Sequence, residues 1–129
     1  MARAVQAAKQ AGGAPTGSVP KGKYKIPAGA RVPNRKLGKT GVDVSIVGLG
    51  GYHLGLPDEQ EAIRMVRTAL DHGMNFLDNC WDYNGGESER RMGKALREGW
   101  RPQAFVMTKL DGRTATSARE QLNIQHMLA

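Results

Sequence analysis

Three side chains that could move a proton stand close to short apolar segments of the sequence. Asp78 directly follows one such segment, Tyr83 lies five residues further on, and Lys109 ends a second. A free tyrosine has a pKa of about 10 and donates a proton slowly at neutral pH, but a nearby ammonium favours the phenolate. Lys109 could supply this ammonium, and Asp78 could hold it in place. The set therefore predicts that Tyr83 protonates the oxygen of a carbonyl group as that group is reduced.

Structural roles for the same three residues are the competing interpretation. An aspartate at a strand end often caps a loop, a tyrosine in a glycine-rich loop often packs, and a rim lysine is often solvated. The nearby carboxylates Asp82, Glu87 and Glu89 lack the pattern of a calcium loop, and we expect them to serve the start of the next helix, whose dipole favours negative charge. Position alone leaves catalysis and structure both open.

The single cysteine and the three histidines are spaced unlike the ligands of a metal site. Cys80 stands beside Trp81 with no histidine near it in the sequence, so we expect a half-buried wall residue rather than a nucleophile. His72 stands where a helix is predicted to end, a position that favours partial positive charge. We predict no metal site from Cys80, His53, His72 and His126.

Strands that alternate with helices would have to position the candidate residues. Lys39–Gly41 has the composition of a hairpin turn. Asp58 with Glu61 resembles a capping box, and Gly73 is placed to end the helix that they begin. The predicted elements are the hairpin 35–45, strand 46–50, a loop over 51–57, a helix from Asp58 to Gly73, strand 74–78, helix 87–97 with Met92, Ala95 and Leu96 buried, strand 104–109, and a helix opened by Ser117 and Glu120.

The spacing of the strand ends indicates which parallel α/β architecture is present. Gly50 and Asp78 are 28 residues apart and Asp78 and Lys109 are 31 apart, close to the roughly 31 residues per unit of an eight-unit barrel of about 250 residues. A doubly wound nucleotide fold would need a third glycine where His53 stands. The predicted fold is therefore the first three βα units of a TIM (β/α)8 barrel preceded by a short β-hairpin, an incomplete barrel. Its carboxyl-terminal rim would carry Asp78, Tyr83 and Lys109 together.

The net charge of +7 is concentrated at one end of the chain. Residues 1–36 hold eight basic residues, no acidic residue and four of the six prolines, whereas residues 37–129 are nearly neutral. We expect residues 1–36 to be a disordered basic Gly/Pro-rich leader, with a weaker alternative of an organelle transit peptide, and residues 37–129 to be the folded domain. Because the charge lies on an arm rather than on a folded face, we expect no nucleic-acid partner.

Cysteine usage and hydropathy favour a soluble protein of a reducing compartment. One cysteine cannot form an intramolecular disulfide, which is typical of a cytoplasmic protein. The longest apolar runs are a handful of residues, far from the roughly 20 that span a bilayer. The expected location is cytoplasmic, with no membrane partner.

Three separated blocks of sequence resemble the aldo-keto reductases. They are RKLGKTGVDVSIVGLGG from Arg35, GMNFLD ending at Asp78 and followed by DYNGGESERRMGKAL from Asp82, and FVMTK ending at Lys109. The resemblance covers about residues 35–123. Asn79-Cys80 stands where many members have Thr or Ser followed by Ala, which suggests a bacterial-type subgroup and leaves the substrate open.

The resemblance implies an NADPH-dependent oxidoreductase that reduces a small-molecule aldehyde or ketone to an alcohol. It implies a (β/α)8 barrel and a catalytic set of Asp, Tyr, Lys and His, of which Asp78, Tyr83 and Lys109 match the first three. The residues implied at the nicotinamide end of the cofactor are Gly51, Tyr52 and Asp78. The fourth strand and its histidine would fall near roughly residue 140, so we expect three units of eight, a fragment that is inactive alone.

Two other functions and one physical consequence remain as expectations. The chain could be a non-catalytic NADPH-sensing or regulatory module, or a binding protein that acts through its basic arm. Three strands without further neighbours would leave two sheet edges open and both apolar sheet faces in water, so we expect self-association through the edges.

Overall fold

The structure is a computed structural model that describes residues 27–124, without the side chains of residues 123 and 124. The predicted leader therefore lies outside the described residues over 1–26. The strands are β1 (Asn34–Lys36), β2 (Asp43–Ser45), β3 (Gly48–Gly50), β4 (Phe76–Asp78) and β5 (Phe105–Met107). The helices are α1 (Glu59–Asp71), α2 (Glu87–Ala95) and α3 (Ala115–Ile124), with short 3-10 turns at Tyr52–Gly55 and Arg101–Gln103.

The predicted hairpin is present, and it begins before the predicted domain boundary. β1 pairs antiparallel with β2, with Arg35 opposite Val44, and Gly41 takes a φ of 77° in the turn. Pro33 accepts a hydrogen bond from the Ile46 amide at 3.0 Å. Residues 27–36, which composition placed in the leader, thus include a paired strand. Composition misses it because an exposed strand needs a backbone partner rather than large aliphatic side chains.

The remaining strands form one parallel sheet in the order β3-β4-β5. Leu49, Leu77 and Val106 lie in register across it. A helix connects each strand to the next, α1 between β3 and β4 and α2 between β4 and β5. This arrangement agrees with the predicted partial α/β barrel, although each strand is only three residues long.

The core lies between the sheet and the first two helices. Leu77 at the centre of β4 is fully buried, and Leu49 and Val106 pack against the same cluster. The predicted apolar side of α2 is confirmed, since Met92, Ala95 and Leu96 are all buried in this cluster. The helices contribute Ala62, Val66 and Leu70 from α1 and Met92, Ala95 and Leu96 from the α2 segment. The expectation that both sheet faces meet water is wrong for this face, because α1 and α2 cover it.

The opposite face of the sheet carries the alternate residues of each strand. Phe76 and Phe105 stack there, with ring centroids 5.5 Å apart and planes inclined by 14°. A cavity of about 530 Å³ lies between this inner face and the hairpin, and reaches Gly50 and Asp78. The inner face corresponds to the interior of a closed barrel.

Helix α1 follows its sequence signals, and α3 departs from them. Asp58 caps α1 by accepting a hydrogen bond from the Glu61 amide at 2.8 Å, and Gly73 follows the helix with a φ of 83°. Helix α3 starts before Ser117 because Thr114 is the residue whose hydroxyl accepts the Ser117 amide, at 3.1 Å. Ser117 therefore lies inside the first turn rather than at its cap. Within residues 27–124, no helix has the length and apolar character needed to cross a membrane.

Candidate active site

The carboxyl ends of β4 and β5 are held side by side, as predicted. The Asn79 amide donates to the Met107 carbonyl at 2.8 Å, and the Trp81 amide donates to the Lys109 carbonyl at 3.2 Å. These two bonds extend the pairing of the strands beyond their regular residues. They place Asp78, at the end of β4, next to Lys109, which lies two residues beyond the end of β5.

Asp78 and Lys109 form an ion pair, and Tyr83 lies against it. The Lys109 ammonium donates a hydrogen bond to Asp78 Oδ1, and its Nζ lies 5.2 Å from the centroid of the Tyr83 ring. Partial burial opposes the charge of the ammonium, but hydrogen bonding to Asp78, its carboxylate charge and the contribution of Tyr83 together raise the pKa of Lys109 above its usual value. The structure thus brings the three predicted catalytic residues into one cluster.

The loop that carries Tyr83 is tied to the loop after β3. Asn84, with a φ of 54°, donates from its Nδ2 to the Tyr52 carbonyl at 2.7 Å. The Tyr52 and Tyr83 rings meet edge to face, with centroids 5.5 Å apart. Gly55 allows this contact, because a Cβ there would collide with the Asn84 side chain. Tyr52, named for the cofactor, therefore borders the same cluster as Tyr83.

Of the residues named for the nicotinamide end of a cofactor, Asp78 lines the cavity at the inner face, Tyr52 is exposed and Gly51 is buried. The Gly51 amide donates to the Asp78 carbonyl at 2.7 Å, which fixes Gly51 beside the ion pair. A Cβ at the neighbouring Gly50 would meet no atom within 4 Å. The backbone at Gly50 therefore leaves room for a flat ring beside Asp78, whereas Gly51 is itself buried and a Cβ there would collide with the Asn79 side chain.

Cys80 is a half-buried thiol turned toward a carboxylate. Its Sγ lies 3.1 Å from Asp82 Oδ1 and 3.6 Å from the Lys109 carbonyl. Burial and the hydrogen bond to Asp82 raise the pKa of Cys80 above its usual value. A thiol with a raised pKa holds little thiolate at neutral pH, which agrees with the predicted wall position.

The histidines of the described residues contact different parts of the structure. The His53 ring meets the Tyr52 ring edge to face, with centroids 5.7 Å apart. The His72 ring lies at the end of α1, with Nδ1 2.8 Å from the Thr68 carbonyl. His126 lies outside the described residues. Within residues 27–124, no three side chains of His, Cys, Asp and Glu gather as metal ligands would.

A group of buried polar residues beside the ion pair was missed by the sequence reasoning. Asn79 and Ser88 are fully buried, and Glu89 is only 2% exposed. Glu87 does serve the start of α2, through ion pairs with Arg90 and Arg91. The same role was expected for Glu89, but Glu89 instead accepts a hydrogen bond from the Thr108 hydroxyl at 2.6 Å. The helical period of the buried Met92 and Leu96 was the available signal, since Ser88 and Glu89 precede Met92 by one turn on the same side.

Comparison with known proteins identifies one family. The model of the Aldo/keto reductase family matches residues 46–127. The aldo-keto reductase AMT2 of Alternaria alternata is 40% identical over 89 residues, which are 62% of this chain and 24% of that protein. A probable voltage-gated potassium channel subunit beta of Arabidopsis thaliana is 38% identical over 77 residues, which are 57% of this chain and 24% of that protein. The chain thus spans about a quarter of the length of these relatives.

Solved structures lead to the same family. A putative aldo-keto reductase from Pseudomonas aeruginosa superimposes with a TM-score of 0.68 at 28% identity, over 81% of this chain and 46% of that one. An aldo-keto reductase from Klebsiella pneumoniae, in complex with NADPH, gives 0.56 at 25% identity, over 66% and 32% of the two chains. Because the family model covers more than half of its residues and these structures share its fold, the chain belongs to the aldo/keto reductase family.

Proposed function

We propose that this chain supplies the proton-donating side of an NADPH-dependent reductase that converts an aldehyde or ketone to an alcohol. The observation that carries the proposal is the cluster in which the Lys109 ammonium bonds to Asp78 and lies 5.2 Å from the Tyr83 ring centroid. A tyrosine beside a fixed ammonium is arranged to release a proton to a basic oxygen. Membership of the family supports an oxidoreductase in general, and the cluster supports this division of roles.

Each residue of the cluster has a distinct part in the proposed reaction. Tyr83 gives the proton of its hydroxyl to the carbonyl oxygen, which becomes the alcohol oxygen. Lys109 stabilises the negative charge that Tyr83 holds after the transfer, because an adjacent cation favours the phenolate. Asp78 keeps Lys109 charged and oriented. Tyr83 is reprotonated from solvent before the next cycle.

The cofactor would be held at its nicotinamide end by Gly51, Tyr52 and Asp78. Bound NADPH supplies the hydride that reduces the carbonyl carbon, with NADP⁺ as the product. Gly50, which pairs with Asp78 and has no side chain, leaves space for a ring at this point. The NADPH held by the Klebsiella pneumoniae relative supports this choice of cofactor.

A completed barrel is the setting in which the proposal can be tested. Residues 27–124 would replace the aligned segment of the Pseudomonas aeruginosa relative, which then supplies the remaining units. In this chimaera we expect Tyr83→Phe to lower kcat for an aldehyde by about 100-fold or more, since general acid catalysis contributes that much, and to leave NADPH affinity close to unchanged. Steady-state kinetics and NADPH fluorescence titration measure the two quantities.

A lysine pair provides the matched control for the same chimaera. Lys109→Met should lower kcat as Tyr83→Phe does, through loss of the ammonium. Lys94→Met removes an exposed lysine that pairs with Glu59 and does not contact Asp78 or Tyr83, and should leave kcat unchanged. An unchanged kcat in Tyr83→Phe would refute the assignment, whatever the result for Lys109.

A regulatory module is the second candidate function. The observation that favours it is the 38% identity to a protein described as a potassium channel subunit beta. Such a module would bind NADPH without consuming it. Calorimetric binding of NADPH to the chimaera, with no oxidation against a panel of aldehydes and ketones, would favour this function over catalysis.

A further inference from the structure

The first turn of α2 buries two polar side chains that the proposed reaction does not use. Ser88 is fully buried and Glu89 is 2% exposed, although both belong to a helix with a charged outer side. Burying a hydroxyl and a carboxyl costs free energy unless each finds a partner. Both partners lie at the carboxyl ends of the parallel strands, where the candidate catalytic residues are.

Ser88 reaches the loop after β3 and the end of β4. Its Oγ lies 2.5 Å from the Gly51 carbonyl and 3.0 Å from Asn79 Oδ1, and it has one proton to donate. Asn79 Oδ1 also accepts the Cys80 amide at 2.9 Å, which holds the start of the loop that leads to Tyr83. Ser88 thus lies between the residue proposed for the cofactor, Gly51, and the residue that follows Asp78.

Glu89 reaches the end of β5. The Thr108 hydroxyl donates to Glu89 Oε1 at 2.6 Å, on the helix side of the sheet. Lys109 is the next residue, and its side chain bonds to Asp78. Regular strand pairing of β5 ends at Met107, and beyond it the Trp81 amide supports the Lys109 backbone by donating to its carbonyl. The bond to Glu89 adds a second support, at Thr108 on the helix side of the sheet.

We propose that Ser88 and Glu89 are positioning residues, which make the first turn of α2 a clamp with two arms. The Ser88 arm fixes the cofactor loop at Gly51, and the Glu89 arm fixes Lys109 through Thr108. Through these contacts, one turn of α2 holds the ends of all three parallel strands at a fixed spacing. The inference rests on the proposed function, because it assigns the two arms to cofactor binding and to proton transfer.

The two arms predict different kinetic effects in the chimaera. Thr108→Val removes the donor to Glu89 and should lower kcat about tenfold with little change in the NADPH KM, since small misplacements of reacting groups cost up to about 100-fold. Ser88→Ala should raise the NADPH KM by several fold and lower kcat less, because Gly51 loses the bond to its carbonyl and keeps only the bond from its amide to Asp78. A role in stability alone would not divide the effects between kcat and KM in this way.

Conservative variants separate positioning from loss of folding. Thr108→Ser keeps the hydroxyl and should restore kcat, and Glu89→Gln keeps an acceptor oxygen and should retain it. Val66→Ala in α1 removes buried methyl groups far from the strand ends, so it should lower the melting temperature without changing kcat. The clamp is refuted if Thr108→Val keeps its kcat, or if kcat falls equally in Val66→Ala at an equal melting temperature.

The same experiment separates this inference from the proposed function. A large fall in kcat for Tyr83→Phe with no effect of Thr108→Val or Ser88→Ala would refute the clamp alone. An unchanged kcat in Tyr83→Phe would refute the proposed function, and the clamp with it.

Discussion

The Asp78–Lys109 pair, which we propose for catalysis, contributes little to stability. The two side chains are 38% and 40% exposed, and ion pairs with that much solvent contact contribute about 0–1 kcal/mol to folding. The value of the pair lies in orientation, because it keeps the ammonium beside the Tyr83 ring. The fold must then hold the pair from outside, which agrees with buried polar contacts at Asn79, Ser88 and Glu89.

Cys80 permits a test of the electrostatics of this rim with one reporter. Burial and the Asp82 carboxylate raise the pKa of the thiol, so its thiolate should form only at pH values above those of a free cysteine. We expect the pH midpoint for alkylation of Cys80 by iodoacetamide to lie above that of a cysteine peptide. Because the chain has one cysteine, mass spectrometry reports this site directly.

The carboxylate accounts for part of that shift and can be removed alone. Asp82→Asn should move the alkylation midpoint down, since the negative charge that opposes the thiolate is lost while an acceptor oxygen remains. Asp111→Asn removes an acidic residue after β5 that bonds to Gln121 instead, and should leave the midpoint unchanged. Equal midpoints for the parent chain and a free cysteine peptide would contradict the interpretation.

At the scale of elements, the sequence predicts the helix ends that are set by the residues next to them. Asp58 begins α1 because its carboxylate accepts a free amide of the first turn, and Gly73 ends it because the residue there takes a positive φ. The residue types alone indicate both. The start of α3 was misplaced because Thr114 and Ser117 are both good caps, and the choice depends on the loop before them. The turn residues predicted the hairpin that contains β1, but the leader boundary drawn from composition cut through it, because the order of β1 comes from its pairing with β2.

The residues of the candidate site likewise fall into two groups, those that the sequence predicts and those that only the packed structure brings together. Asp78, Tyr83 and Lys109 were predictable, since parallel strands bring their carboxyl ends to one edge. The contact of Ser88 with Gly51 joins residues 37 positions apart, and no local pattern encodes it. The helix dipole gave a local reason for an acidic residue at Glu89. The bond with Thr108 depends on how α2 packs on the sheet, so the sequence did not predict it.

The cap of α1 gives a prediction at the scale of one element. Asp58→Ala leaves the Glu61 amide without its acceptor and should lower the free energy of unfolding of the chimaera by about 0.5–2 kcal/mol. Asp58→Asn keeps an acceptor at the same position and should cost much less. Urea denaturation followed by circular dichroism compares them, and equal losses for the two variants would show that the cap contributes little.

At the scale of the whole molecule, one face of the parallel sheet is covered by helices and the other is partly exposed. Helices α1 and α2 cover one face with a continuous core. The other face presents the stacked Phe76 and Phe105, with Met107 37% exposed beside them. Among the strands of residues 27–124, β3 and β5 each have one neighbour within this sheet. The apolar inner face and two strand edges are therefore available for contacts between copies.

The 129-residue chain by itself should bind other copies rather than turn over substrate. Of the proposed active site, it holds the proton-donating cluster and the nicotinamide-end residues, and positioning of both reactants contributes about 7–11 kcal/mol to well-oriented reactions. We therefore expect no oxidation of NADPH above a buffer blank with a broad aldehyde panel. Turnover by this chain that Tyr83→Phe abolishes would contradict the expectation.

Self-association can be assigned to the inner face by adding one charge to it. Sedimentation velocity of the 129-residue chain should show oligomers or aggregates that grow with protein concentration, because exposed edges and apolar surface pair with each other. Met107→Lys places a charge on the edge strand and should shift the distribution toward monomer. Leu122→Lys adds the same charge to an exposed position of α3, away from the sheet, and should leave the distribution as it was. A monomeric parent chain that unfolds cooperatively in calorimetry, or equal effects of the two lysines, would show that the inner face and its edges do not drive association.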